Sequence, residues 1–98
     1  MHLLFLVEDA FEIKRRGVVA SGPLDDPDAR YRIGDSVEIR RENGSVIRTI
    51  ISGYTTMPLP PRGTAEVLLR DLSRDDVQPG DEVWIGDEHP ADSPRDQV

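Results

Sequence analysis

Lys14-Arg15-Arg16 is the one cluster of this chain whose residue types and spacing could hold a charged ligand. Three consecutive cations at a tight corner can meet phosphate oxygens, and arginine adds planar bidentate contacts. Arg40, Arg41 and Arg48 are further cations that a strand arrangement could bring beside the corner. Residues suited to catalysis are scarce by comparison. His2 and His89 lie near the two ends of the sequence with no base or metal partner at a useful spacing, so both read as surface histidines. Asp71, Asp75, Asp76, Asp81 and Glu82 are dense in carboxylate but lack the glycine and glutamate positions of a calcium loop. Capping and solubility account for them. No catalytic residue, metal ligand or cofactor site is assigned, and no enzyme activity is expected. Cysteine is absent, which removes disulfides, thiolate ligands and thiol nucleophiles together.

The corner needs two strands to hold it. Phe11 and Ile13 precede it at a spacing of two, and Val18 and Ala20 follow it at the same spacing, so each arm presents apolar groups to one side. Gly17 supplies the positive φ that the turn requires, and Gly22 offers a second place to bend or bulge. Upstream, the uninterrupted apolar run Leu3–Val7 suits a strand covered on both faces or lying across a barrel seam. Downstream, Asp25–Asp28 is a solvated turn. Tyr31 and Ile33 then alternate with Arg30 and Arg32, Gly34-Asp35 turns, and Val37 and Ile39 alternate with Glu38 and Arg40. Asn43-Gly44 suits a type I′ hairpin turn, pairing Ser36–Arg41 with Ser45–Ser52. In that second arm Ile47, Thr49 and Ile51 share one face, and Val46, Arg48 and Ile50 the other.

Met57–Pro61 carries three prolines and is expected to cross as an extended loop. Ala65, Val67 and Leu69 alternate with Glu66, Leu68 and Arg70. Ser73 with Asp76 three residues on predicts one capped helical turn. Pro79-Gly80 turns into a last strand in which Val83 and Ile85 alternate with Glu82, Trp84 and Gly86. Tyr31, Tyr54 and Trp84 sit half in and half out by this alternation, as packing residues or interface anchors. The expected domain is residues 1–86, followed by an acidic, disordered tail over 87–98.

Ninety-eight residues with 37% hydrophobic content allow one small core. Six or seven short strands with no long helix predict an all-β fold, a small antiparallel barrel, closed or nearly closed, with a sandwich as the alternative. No run approaches the length of a membrane helix, the start lacks a secretory pattern, and a cytoplasmic protein that does not bind membranes is expected. The net charge of −7 opposes long-range attraction to nucleic acid, although eleven of the twelve basic residues are arginine and local patches can form.

In order along the chain, these motifs resemble the second, β-barrel domain of translation GTPases of the elongation factor Tu kind. Val7-Glu8-Asp9, Phe11, Ile13, Arg16-Gly17, Val19 and Gly22 are similar to the family's first block. Tyr31 through Ile39 resembles its V-x-V-G-D-x-V-E-I segment. Leu68-Leu69-Arg70 followed by Asp76-Val77 and Gly80 to Val83 resembles its last block. The resemblance implies a barrel that occurs here without the GTPase domain, since no phosphate-binding loop is present. In the family this barrel holds the terminal adenosine of aminoacyl-tRNA in a shallow apolar pocket beside a glutamate. Leu24, Tyr31 and Leu69 match the apolar lining by position, whereas Leu59-Pro60-Pro61-Arg62 stands where the glutamate would be carried. The expected role is a binding module acting on a protein partner in trans. The alternative is an RNA- or ribosome-associated module working through Lys14–Arg16. Self-association, through an uncapped edge or the Tyr31 and Trp84 surface, is a further option.

Overall fold

A computed structural model describes residues 1–54 and 62–86. The expected Met57–Pro61 crossing, the Leu59–Pro61 segment of the family's pocket loop, the Tyr54 side chain, His89 and the 87–98 tail lie outside the described residues. Seven strands form: β1 (His2–Leu6), β2 (Asp9–Ile13), β3 (Gly17–Pro23), β4 (Ser36–Arg40), β5 (Val46–Tyr54), β6 (Thr64–Arg70) and β7 (Glu82–Ile85). They join in one antiparallel ladder of order β1-β7-β4-β5-β6-β3-β2, so the fold is all-β. The ladder is not closed, because β1 and β2 stand at its two ends.

Alternation drives each strand. In β6, Ala65, Val67 and Leu69 are fully buried while Glu66 and Leu68 are half-buried on the other face. Val37 and Ile39 of β4, Ile51 of β5, and Val83 and Ile85 of β7 face the same interior, which Leu4, Phe5, Val18 and Ala20 complete. Adjacent Leu4 and Phe5 are both buried because β1 shifts register against β7 between Leu3 and Phe5. The apolar run at the start of the chain is thus a strand whose bulge turns two neighbours inward.

The two ends of the ladder approach each other through β3. Gly17 to Ser21 pair with β2, and beyond the strand Leu24 bridges to Phe5 of β1. The Asp25 amide donates to the Leu4 carbonyl at 2.9 Å and the Glu8 amide to the Ser21 carbonyl at 2.8 Å. Gly22 lies in this seam, where a Cβ would run into the backbone carbonyl of Leu6.

Two local expectations are corrected. Residues Tyr31 to Ile33 form no strand; the Asp35 carboxylate takes the Arg32 amide at 2.8 Å, and the Asp35 amide returns to the Arg32 carbonyl at 3.1 Å, which curls the segment into a turn. Ser36–Arg40 does pair with Val46–Ile50, but the link is not a type I′ turn. Gly44 takes positive φ (90°) and Asn43 does not, so Glu42-Asn43-Gly44 is a three-residue loop, closed by Gly44 amide to Arg41 carbonyl and Arg41 amide to Ser45 carbonyl, both 2.9 Å. The Asn43 carboxamide oxygen instead accepts from the Ser45 amide and hydroxyl. At the basic corner Gly17 takes positive φ (135°) as expected, and Arg15 takes it as well, at 69°.

The capped turn forms as its sequence predicts. Arg74–Asp76 is a single 3₁₀ turn in which Asp76 Oδ2 accepts from the Ser73 amide (2.8 Å) and hydroxyl (3.1 Å). Among the described residues no helix is long and apolar enough to cross a membrane.

Candidate functional site

The β2–β3 hairpin holds Lys14, Arg15 and Arg16 at its tip, all exposed, with the Arg16 amide closing the turn onto the Ile13 carbonyl at 2.9 Å. Their extra cations do not join them in a common patch. Arg40 and Arg48 converge on Glu38 of β4, each at 3.3 Å, and Arg41 reaches the Asp75 carbonyl at 2.9 Å and the Asp81 carboxylate at 3.6 Å. Register explains the convergence: Glu38 stands directly opposite Arg48 on β5 and Trp84 on β7, on the outward face of the sheet. Among the described residues, ion pairs also engage Arg62, and the corner's three side chains take part in none of these contacts.

Trp84 belongs to that outward row. Its indole N–H donates to Glu82 Oε1 at 2.9 Å, and the Arg40 guanidinium lies 4.0 Å from the ring centroid. One ring face and the polar handle are thereby occupied, so Trp84 braces charged neighbours on β4 and β7. Arg40 was out of reach of sequence reasoning here, because the contact is diagonal across two strands and depends on register.

Leu24, Tyr31 and Leu69 are not one lining. Leu69 is fully buried in the core. Leu24 and Tyr31 are half-buried, packed against the outside of that core along with Ala29. A shallow concavity of about 420 Å³ opens at Ala29, Arg30, Tyr31 and Arg32. Ile33, beside it, is 57% exposed. A strand would have put Ile33 in the sheet; the Asp35 side-chain turn puts it outside, and Asp two residues after Ile33 was the available signal.

A second concavity, about 620 Å³, lies across the end of β4, β5 and β6, floored by Val37, Ile50 and Leu72 and flanked by Arg48, Arg70, Glu38 and Asp71. Its four charges cancel, and its apolar floor is continuous with the core. The acidic segment at 71–82 is used structurally. Asp81, 3% exposed, accepts the Gln78 amide at 2.9 Å and the Glu42 amide at 3.3 Å. Asp76 caps its own turn. Among the described residues no three His, Cys, Asp or Glu side chains are grouped to hold a metal ion.

Among the described residues, a cationic hairpin tip and an arginine-flanked loop at Ala29–Ile33 lie at the surface. No known family model matches the chain.

Proposed function

We propose that this chain is a non-enzymatic binding module that engages a protein partner in trans. Its architecture is read as a nearly closed barrel similar to the second domain of translation GTPases. The Phe5–Leu24 bridge and the backbone hydrogen bonds that draw β3 alongside β1 support that reading. The partner reading is carried by the Ala29–Ile33 loop. Tyr31, half-buried between Arg30 and Arg32, lines a concavity, and Ile33, 57% exposed, follows in the same loop, a composition like that of an interface core with a polar rim. The acidic balance of −7 and the engagement of Arg40, Arg41 and Arg48 by acidic or carbonyl partners favour protein over nucleic acid.

One observation favours a second reading. Lys14, Arg15 and Arg16 are exposed at a hairpin tip, and Arg15 holds a left-handed backbone conformation that costs a non-glycine residue about 1 kcal/mol. Three displayed cations suit RNA phosphate, giving an RNA- or ribosome-associated module. The test is capture of partners by the tagged chain from its own cells under nuclease, comparing wild type, Ile33→Asp and the Arg15→Glu, Arg16→Glu pair. A protein retained by wild type and by the charge-reversed pair, and lost with Ile33→Asp, is the expected result. Recovery of RNA alone, lost with the charge-reversed pair, overturns it.

A further inference from the structure

We infer that the chain also pairs with a second copy of itself along β2, antiparallel about a two-fold axis through Phe11. This goes beyond the partner surface at Ala29–Ile33 and uses a different part of the molecule. β2 ends the ladder, so the outer side of Asp9–Ile13 has no strand beside it among the described residues. An unpaired edge is a template for another strand. The 3₁₀ turn lies beneath this strand rather than beside it. Ala10 packs against the core, and Glu12, of the same parity, accepts the Arg74 amide at 3.0 Å, so the turn sits on the inward face. Among the described residues the outer edge is left open.

Phe11 points to the opposite face and is 50% exposed. It is not an isolated apolar residue. In register it stands opposite Val19 of β3, which stands opposite Leu68 of β6. Val19 is only 1% exposed although it is not part of the interior cluster, so these residues form an outward apolar row that ends at the free edge. Joining two such edges makes one row of six apolar side chains.

Charge selects the register. A two-fold axis perpendicular to an antiparallel pair keeps each residue on its own face, so the axis must pass through a residue. Through Asp9 or Glu12 it sets a carboxylate against itself, and through Ala10 it sets Glu8 against Glu12. Through Ile13 it draws in the turn residues Lys14–Arg16, which are not extended. Through Phe11 all five residues of β2 pair: Phe11 meets Phe11, Ala10 meets Glu12, and Asp9 meets Ile13. Just past the paired residues, the bend residue Glu8 and the turn residue Lys14, both exposed, flank the junction at both ends, where their opposite charges can meet as side chains without joining the ladder. Opposite charges and aromatic pairs directly across a ladder are favourable, and like charges are not. Of these registers, the one that uses the whole strand is the one with complementary charge.

Sedimentation velocity of the full chain over a concentration series tests this, with circular dichroism to verify folding of each variant. A monomer–dimer equilibrium is expected, with Phe11→Asp raising the dimer dissociation constant at least about tenfold. Glu8→Lys and Lys14→Glu should each weaken the dimer and together restore it. Because the chain has no cysteine, Phe11→Cys provides an independent readout. Paired residues across a ladder are about 4.5 to 5.5 Å apart at Cα, within disulfide reach, so mild oxidation should yield a crosslinked dimer. Val46→Cys, equally exposed on β5, should not crosslink. A monomer at all concentrations, a dimer indifferent to Phe11→Asp, or crosslinking as efficient at 46 as at 11 would overturn the proposal.

Discussion

Asp81 shows how a single side chain ties separate parts of this molecule together. Its two oxygens accept amides from Gln78, in the turn before β7, and Glu42, in the β4–β5 loop, and it faces Arg41 at 3.6 Å. Arg41 Nε is buried and has no hydrogen-bond partner among the described residues, so Asp81 is its electrostatic compensation. Asp81→Ala would strand two amides and that nitrogen at once. A loss of about 2 to 4 kcal/mol is expected in chemical denaturation. Asp81→Asn, which keeps an acceptor, should lose clearly less. At Gly22 the argument is steric: Gly22→Ala drives a methyl into the Leu6 carbonyl, in the seam where β3 meets β1. Destabilisation of about 1 to 3 kcal/mol or more should appear as a lowered urea midpoint. Neither role was legible in the sequence. Asp81 read as one acid among five, and Gly22 as a bend, because both act on backbone that only the fold brings near.

At the scale of elements, the sequence was most informative where one face is buried. Ala65, Val67 and Leu69 alternate into the core of β6 as their spacing predicts, and Val67→Ala should cost about 1 to 3 kcal/mol through lost burial and a cavity. An unchanged denaturation midpoint would remove Val67 from the core. The Ser73–Asp76 cap was equally legible, since it depends on four consecutive residues. Two turns were not. Tyr31–Ile33 alternates like a strand, yet Asp35 captures the Arg32 amide locally, and a side-chain hydrogen bond three residues away outcompetes a ladder. Asn43-Gly44 fits a two-residue turn, but the Asn43 side chain is committed to Ser45 and the loop takes one residue more. The candidate site followed the same division. Lys14–Arg16 was placed correctly at a hairpin tip by apolar spacing on both sides, whereas Ile33 was missed because its exposure follows from the turn that replaced the expected strand.

Across the whole molecule, several arginines are held on the protein's own acids. Arg40 and Arg48 bracket Glu38 and Arg41 serves Asp81, whereas the tip at Lys14–Arg16 takes part in none of these pairs on a chain of net charge −7. Binding through the Ala29–Ile33 loop, which combines apolar Tyr31 and Ile33 with Arg30 and Arg32, should fall less steeply with salt than binding to RNA phosphate through the tip. The proposed contact at Ile33 is with a protein and not with RNA. Site-specific photocrosslinking in the native cells measures that directly, with a photoreactive residue placed at position 33 in one variant and at position 15 in another. The account predicts a discrete protein adduct at 33 that survives nuclease; nuclease-sensitive adducts at 15 with none at 33 would contradict it.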